Sequence, residues 1–289
     1  MYKIKRRLFI SLSLLLTFLT SSSLAVYADT YYKTDEYEYK YLTEDTIMLS
    51  DYFGESNTLT IPDTFLDRKV VSVEPNAFYQ NTNIEYINFG KNFNTISAMS
   101  FSGSGLKELN LPKSMKSIVW GAFSECKELV SVTIDNSELT TIPRSCFYDC
   151  TKLEKVELSK NITTIAKAAF ADCTSLEFIE IHRATTTISP DAFINCPNLT
   201  IYGYEGSYAQ QYATENNIPF VALPEYENGD VNLDGTLSVD DVTFLQMHIA
   251  RYDNFVSDDS YKVADFDGNG TIDINDVTMI QLYLAGYVV

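Results

Sequence analysis

The sequence predicts a mostly β solenoid of short parallel strands, followed by a small all-α module of two loop-helix units. Three observations carry that prediction. Phe recurs at 78, 101, 123, 147, 170 and 193, with spacings of 23, 22, 24, 23 and 23. An oxygen-rich loop is written twice near the end, at residues 230–241 (DVNLDGTLSVDD) and 265–276 (DFDGNGTIDIND), 35 residues apart. A basic and then apolar leader precedes both.

The leader comes first in the chain. Lys3, Lys5, Arg6 and Arg7 precede the apolar run 8–19, and small residues close the segment at Ala28. That order reads as a secretory signal peptide over residues 1–28. The run of 12 residues, interrupted by Ser11 and Ser13, is short for a membrane span. No later segment is apolar enough to cross a bilayer, so a secreted, extracellular protein is expected, at a cell surface or in an extracellular complex. Losing residues 1–28 removes four cations and no acid, taking the formal charge from −18 to −22. A chain this acidic has no bulk attraction for nucleic acid or anionic lipid.

The Phe ladder fills residues 29–223, the expected solenoid with its end caps. Five residues before each Phe stands Val73, Ile96, Ile118, Ile142, Ile165 or Ile188, and three after stand Cys126, Cys150, Cys173 and Cys196 in the last four repeats. An L-x-x-I-x-I segment follows, as in Leu153/Val156/Leu158. A coil of this length cannot bury its own apolar face, so equivalent residues of successive coils stack into one core. The period and the L-x-x-L-x-L pattern are those of leucine-rich repeats. Strand alternation exposes Tyr86, Ser131, Lys155 and Phe178, and two residues later Asn88, Thr133, Glu157 and Glu180. The second repeat is one residue shorter after its Phe, which leaves its register open. Residues 37–42 (YEYKYL) with 47–49 read as an opening hairpin, and 206–217 as a closing helix. The cysteine count of five is odd, and four occupy one repeated position, which favours buried thiols over a disulfide framework.

With A-F-x-x-C-x-x-L followed by an I-x-I strand, the solenoid resembles the BspA-like leucine-rich repeats of bacterial surface and secreted proteins. The resemblance implies binding, with a protein or carbohydrate ligand that the sequence does not name.

Residues 224–289 hold the second module. Each loop offers oxygens at positions 1, 3, 5, 9 and 12 and Gly at position 6, the spacing of a twelve-residue calcium loop. Alternating Asp, Asn and Ser suit a hard cation and suit zinc or copper poorly. Asp rather than Glu at position 12, with one helix after each loop, resembles a type I dockerin: two F-hand loop-helix units without an entering helix. The resemblance implies two structural Ca²⁺ ions. In the first loop the ligands are Asp230, Asn232, Asp234, Asp241, Ser238 (directly or through water) and the Thr236 carbonyl. In the second they are Asp265, Asp267, Asn269, Asp273, Asp276 and the Thr271 carbonyl. With four acids against three, the second site is expected to bind more tightly. The resemblance further implies a cohesin module of a cellulosome scaffoldin as partner. The residues facing it would be Val239, Asp240, Gln246 and Met247, with Ile274, Asn275, Gln281 and Leu282.

The chain has only two histidines, His182 and His248, and lacks HExxH, GxSxG and phosphate-loop motifs. It therefore reads as a non-enzyme: a binding or structural protein delivered to a polysaccharide-degrading complex. The alternatives are a hydrolase or inhibitor acting through the solenoid surface, or an adhesin.

Overall fold

The computed structural model describes residues 30–134, 138–223, 226–252, 255 and 258–287. The expected signal peptide and part of the linker at 224–225 lie outside them. The chain divides into two compact units, Met1–Glu177 with Ser189–Asn198 and Phe178–Ile188 with Leu199–Val289.

The first unit opens with the antiparallel hairpin Tyr37–Tyr41 and Thr46–Tyr52, flanked by Tyr32–Lys33. Alternation dictates it: Tyr37 and Tyr39 on one strand and Ile47 and Leu49 on the other are buried. Burial pushes the Tyr37 and Tyr39 phenols up to about 12. Thr46–Tyr52 then pairs in parallel with Arg68–Val73, and Thr95–Ile96 and Ser117–Ile118 follow in parallel. The hairpin thereby covers the first edge of the sheet carrying the Val73, Ile96 and Ile118 column. The edge that remains on that side is the two-residue strand Tyr32–Lys33, short as exposed edges commonly are.

After each Ile strand the chain turns through an arc centred on the repeat Phe. Phe101, Phe123, Phe147, Phe170 and Phe193 stack nearly parallel, with centroid separations of 5.5, 5.7, 5.3 and 5.3 Å. Phe78 closes the row at 5.0 Å from Phe101. The backbone of the arc has a feature that the repeat motif hides. Positions two before and two after the Phe adopt left-handed φ in coil after coil: Asn76 and Gln80, Met99 and Gly103, Gly121 and Glu125, Ser145 and Asp149, Ala168 and Asp172. This alternation turns every second N–H toward the next coil. Gln80, Gly103, Glu125 and Asp149 donate to Ser102, Ser124, Tyr148 and Ala171 carbonyls at 2.6–2.9 Å. Left-handed backbone costs an L-residue roughly 1–2 kcal/mol, and the inter-coil hydrogen bonds hold it there.

The repeated cysteine has a bonding reason. Thiols of Cys126, Cys150, Cys173 and Cys196 donate to the carbonyls of Phe101, Phe123, Phe147 and Phe170, one coil back, at 3.1–3.2 Å. All five cysteines are free, and burial pushes the Cys146, Cys150 and Cys173 thiols well above their usual range. Such thiols are poor nucleophiles and act as small core residues.

The short second repeat is absorbed at Gly105. A Cβ there would lie 2.2 Å from the Thr82 carbonyl oxygen, so only glycine lets the coil take its tighter corner. Register is restored at once: Glu108–Asn110 pairs in parallel with Ser131–Thr133, and that strand with Lys155–Glu157. Glu108 and Asn110 therefore join the exposed row, the two positions that the sequence left open.

In the second unit Phe178–Glu180, Thr200–Gly203 and Phe220–Ala222 are parallel neighbours. Helix α1, Tyr208–Glu215, lies within the segment expected to be helical. Ser207 caps it by accepting from the Gln210 N–H, and it buries Ala209, Tyr212 and Ala213. A small helical region follows, with α2 at Val239–Ile249, α3 at Asp258–Ala264 and α4 at Ile274–Leu284. Its core joins Val231, Val242, Leu245, Phe255, Val263, Ala264, Val277 and Ile280. Val242 and Leu245 correspond to Val277 and Ile280, so the duplication repeats the core contacts.

Helix α3 corrects one expectation. The second loop does have an entering helix, ending at Ala264 immediately before Asp265. Asp259 in its first turn and Lys262 in its last agree with the helix dipole and pair at 2.5 Å. Val263, Ala264 and Ser260 hold the helix by their burial.

Candidate metal centre

Each candidate loop is organised around its first and last aspartates. Asp230, Asp241 and Asp276 are fully buried. Asp241 accepts from the Asn232 N–H at 3.1 Å and the Ser238 N–H at 2.8 Å. Its counterpart Asp276 accepts from Asp267 at 3.2 Å and Asp273 at 2.8 Å. Ser238 and Asp273 in turn cap α2 and α4, completing a capping box in each. One carboxylate thus fastens the start of a loop to the first turn of the helix that follows. Gly235 and Gly270, at position 6, have φ of 85° and 86°, the left-handed turn that the sharp reversal requires.

Positions 3 and 5 carry one acid and one amide in each loop, in opposite order. Asn232 Nδ2 donates to Asp234 at 3.0 Å, and Asn269 Nδ2 donates to Asp267 at 2.7 Å. The Thr236 hydroxyl donates to Asp234 and holds its carboxyl below the usual range. Burial acts oppositely on Asp230, whose carboxyl is pushed up.

The donors fit a hard cation. Carboxylate oxygens of Asp265, Asp267 and Asp276 lie within 4.8 Å of one another. Asp265 Oδ1 is buried and without a hydrogen-bond partner. Every side-chain ligand position contributes oxygen, the preference of Ca²⁺ and Mg²⁺ rather than zinc. Thr236 and Thr271 are exposed residues, while Ser238 and Asp273 are half-buried.

The structure leaves the eight expected partner-facing residues accessible: Val239, Asp240, Gln246, Met247, Ile274, Asn275, Gln281 and Leu282 are all exposed. Val239 and Ile274 are 69% and 58% exposed, high for β-branched apolar side chains at the start of a helix. Two connections were not legible beforehand. Asn228 Nδ2 donates to the Phe266 carbonyl at 3.1 Å, and the Gly229 N–H donates to the Val263 carbonyl at 2.7 Å, tying the start of the first loop to the second.

Both long helices end in the same Schellman pattern. The Tyr252 N–H reaches the Met247 carbonyl and the Tyr287 N–H reaches the Leu282 carbonyl, at 2.9 and 3.0 Å. The left-handed residue is Arg251 in one and Gly286 in the other, with φ of 58° and 81°. Arg251→Gly should therefore stabilise the helical region by about 0.5–1 kcal/mol, strain relief less the entropy cost of glycine. An unchanged or lowered melting temperature would contradict that account.

On the solenoid, Glu157 and Glu180 occupy equivalent positions of their strands, Lys155–Glu157 and Phe178–Glu180. Glu157 pairs with Lys155 at 2.5 Å and is held below its usual range by that contact. His182 lies 3.6 Å from Glu180, and His248 stacks on Phe255 at 3.7 Å between centroids. Among the described residues, no helix is long and apolar enough to cross a membrane.

Comparison with known proteins bears on the repeats. Residues 71–200 match the BspA type leucine rich repeat region in six copies. The leucine-rich repeat protein of T. pallidum is 20% identical, with 68% of this chain and all of that chain aligned at a TM-score of 0.53. A leucine-rich repeat protein from Eubacterium ventriosum is 23% identical over 57% of this chain and 49% of its own length, at a TM-score of 0.45. No curated protein matches the chain. The T. pallidum likeness speaks for the fold alone, and it agrees with the stacked Phe arcs and parallel strands. Residues 71–200 are thus a BspA-type leucine-rich-repeat region within a mostly β solenoid.

Proposed function

We propose that this chain is a secreted, non-catalytic binding or structural protein, carried to an extracellular scaffold by a calcium-dependent dockerin-like module. The solenoid would present its strand rows to a protein or carbohydrate ligand. Residues 226–287 would bind two Ca²⁺ ions and dock onto a cohesin.

One observation carries the reading. Two loops with calcium spacing are each fastened through a buried aspartate to a helix, and the two helices share one small core while their outer residues stay exposed. When bound, the ion would supply charge neutralisation and a fixed ring of ligands, with no chemical step. The protein's own residues do the rest. Asp241 and Asp276 orient α2 and α4, and Val239, Met247, Ile274 and Leu282 offer apolar contacts on the faces so oriented.

The test is binding of the full chain to a panel of immobilised cohesins, in Ca²⁺ and in EDTA. Capture in Ca²⁺ that is lost in EDTA is expected, with Val239→Asp/Ile274→Asp reducing capture at least about tenfold by placing a charge in an apolar contact. No capture by any cohesin in Ca²⁺, or equal capture in EDTA, would overturn the docking reading.

A further inference from the structure

We infer that the two loops take calcium unequally: the second fills first, and the first is the weaker site. This rests on the calcium reading above and adds an order of filling to it.

The loops differ most at their first aspartate. Both oxygens of Asp230 are engaged, accepting from the Asp234 N–H at 3.1 Å and the Gly235 N–H at 2.9 Å. Asp265 accepts only from the Gly270 N–H, at 2.8 Å on Oδ2, and its Oδ1 is buried with no partner. The cause is a single N–H. That of Asp234 is shared between Asp230 and Asn232, whereas that of Asn269 turns to Asp267 alone, at 3.0 Å. A cation entering the second loop meets a buried oxygen that no hydrogen bond engages. In the first loop it must share that oxygen with the backbone.

Charge points the same way. Asp265, Asp267 and Asp276 form the one convergent group of this kind among the described residues, and Asp273 adds a fourth carboxylate where the first loop has Ser238. Affinity in loops of this spacing rises with the number of charged ligands. The second loop is also entered from α3, whose last residues Val263 and Ala264 are buried, so its first ligand hangs from an anchored helix. Filling it would secure α4 and the shared core.

The experiment is a CaCl₂ titration of the ¹⁵N-labelled, calcium-stripped full chain. It follows the amide resonances of Gly235 and Gly270, each of which donates to the first aspartate of its own loop. The Gly270 resonance should half-saturate at a calcium concentration at least about tenfold below that for Gly235. Ser238→Asp should lower the Gly235 midpoint, and Asp273→Ser should raise the Gly270 midpoint, closing the gap from both sides. Coincident midpoints in the unaltered chain, or Gly235 saturating first, would overturn the order of filling while leaving calcium binding intact. If neither resonance moves, calcium binding itself is overturned, and the order falls with it.

Discussion

EDTA should melt the helical region and leave the solenoid folded. Calorimetry of the full chain should show a low-temperature transition that shifts down and broadens as Ca²⁺ is removed, beside a second that does not move. The argument is electrostatic. Residues 228–289 carry eleven Asp against Arg251 and Lys262, and three of those acids are fully buried. A buried carboxylate without a counter-charge is costly. The core that must offset it is eight residues, small enough that a module of this size is marginal alone. A ligand at a thousand times its Kd adds about 4 kcal/mol, comparable to the whole stability of such a module. Identical transitions in Ca²⁺ and EDTA would refute a structural role for the ion.

Phe147→Ala should destabilise the solenoid by about 3–5 kcal/mol, the range for emptying a large aromatic from a core. Phe147 is fully buried between Phe123 at 5.7 Å and Phe170 at 5.3 Å. Its loss removes transfer energy and two stacking contacts, each worth roughly 0.5–1.5 kcal/mol beyond area. Phe78 is the control. It ends the row, with Phe101 as its one ring neighbour there, at 5.0 Å. Phe78→Ala should cost clearly less in a urea titration. Equal costs would mean that the row does not act through nearest neighbours.

What was legible in the sequence follows from what leaves a period. Burial of Ile and Phe recurs with each coil, so the ladder could be read without coordinates. The opening hairpin was legible because Tyr37 and Tyr39 alternate against Ile47 and Leu49. The loops were legible as a duplication, because the same order of Asp, Asn and Gly is written twice, 35 residues apart. Other features leave no such trace. The left-handed positions of the arc are occupied by Asn, Gln, Met, Glu, Ser, Asp and Ala as well as Gly. Their conformation is imposed by hydrogen bonds to the next coil and not by their chemistry. Helix α3 has seven residues, too few for a 3.6-residue period to declare itself. The free oxygen of Asp265 depends on where one backbone N–H points, which the near-identity of the two loops conceals.

The alternating arc has a consequence for how such a protein can grow. From Val73 or Ile to Phe the spacing is five residues in every coil, and in the first five coils the left-handed positions at two before and two after the Phe fix that stretch as a rigid gauge. Length varies only elsewhere. One residue is lost at Gly105, and one is gained between Ile134 and Ile142, which are eight apart where Leu158 and Ile165 are seven. Cassettes cut in those side segments would splice without disturbing the ratchet of carbonyls and N–H groups that joins coil to coil. Cassettes cut inside the arc would leave both halves unmatched, so duplication, trimming and grafting of coils are all channelled to the same seams.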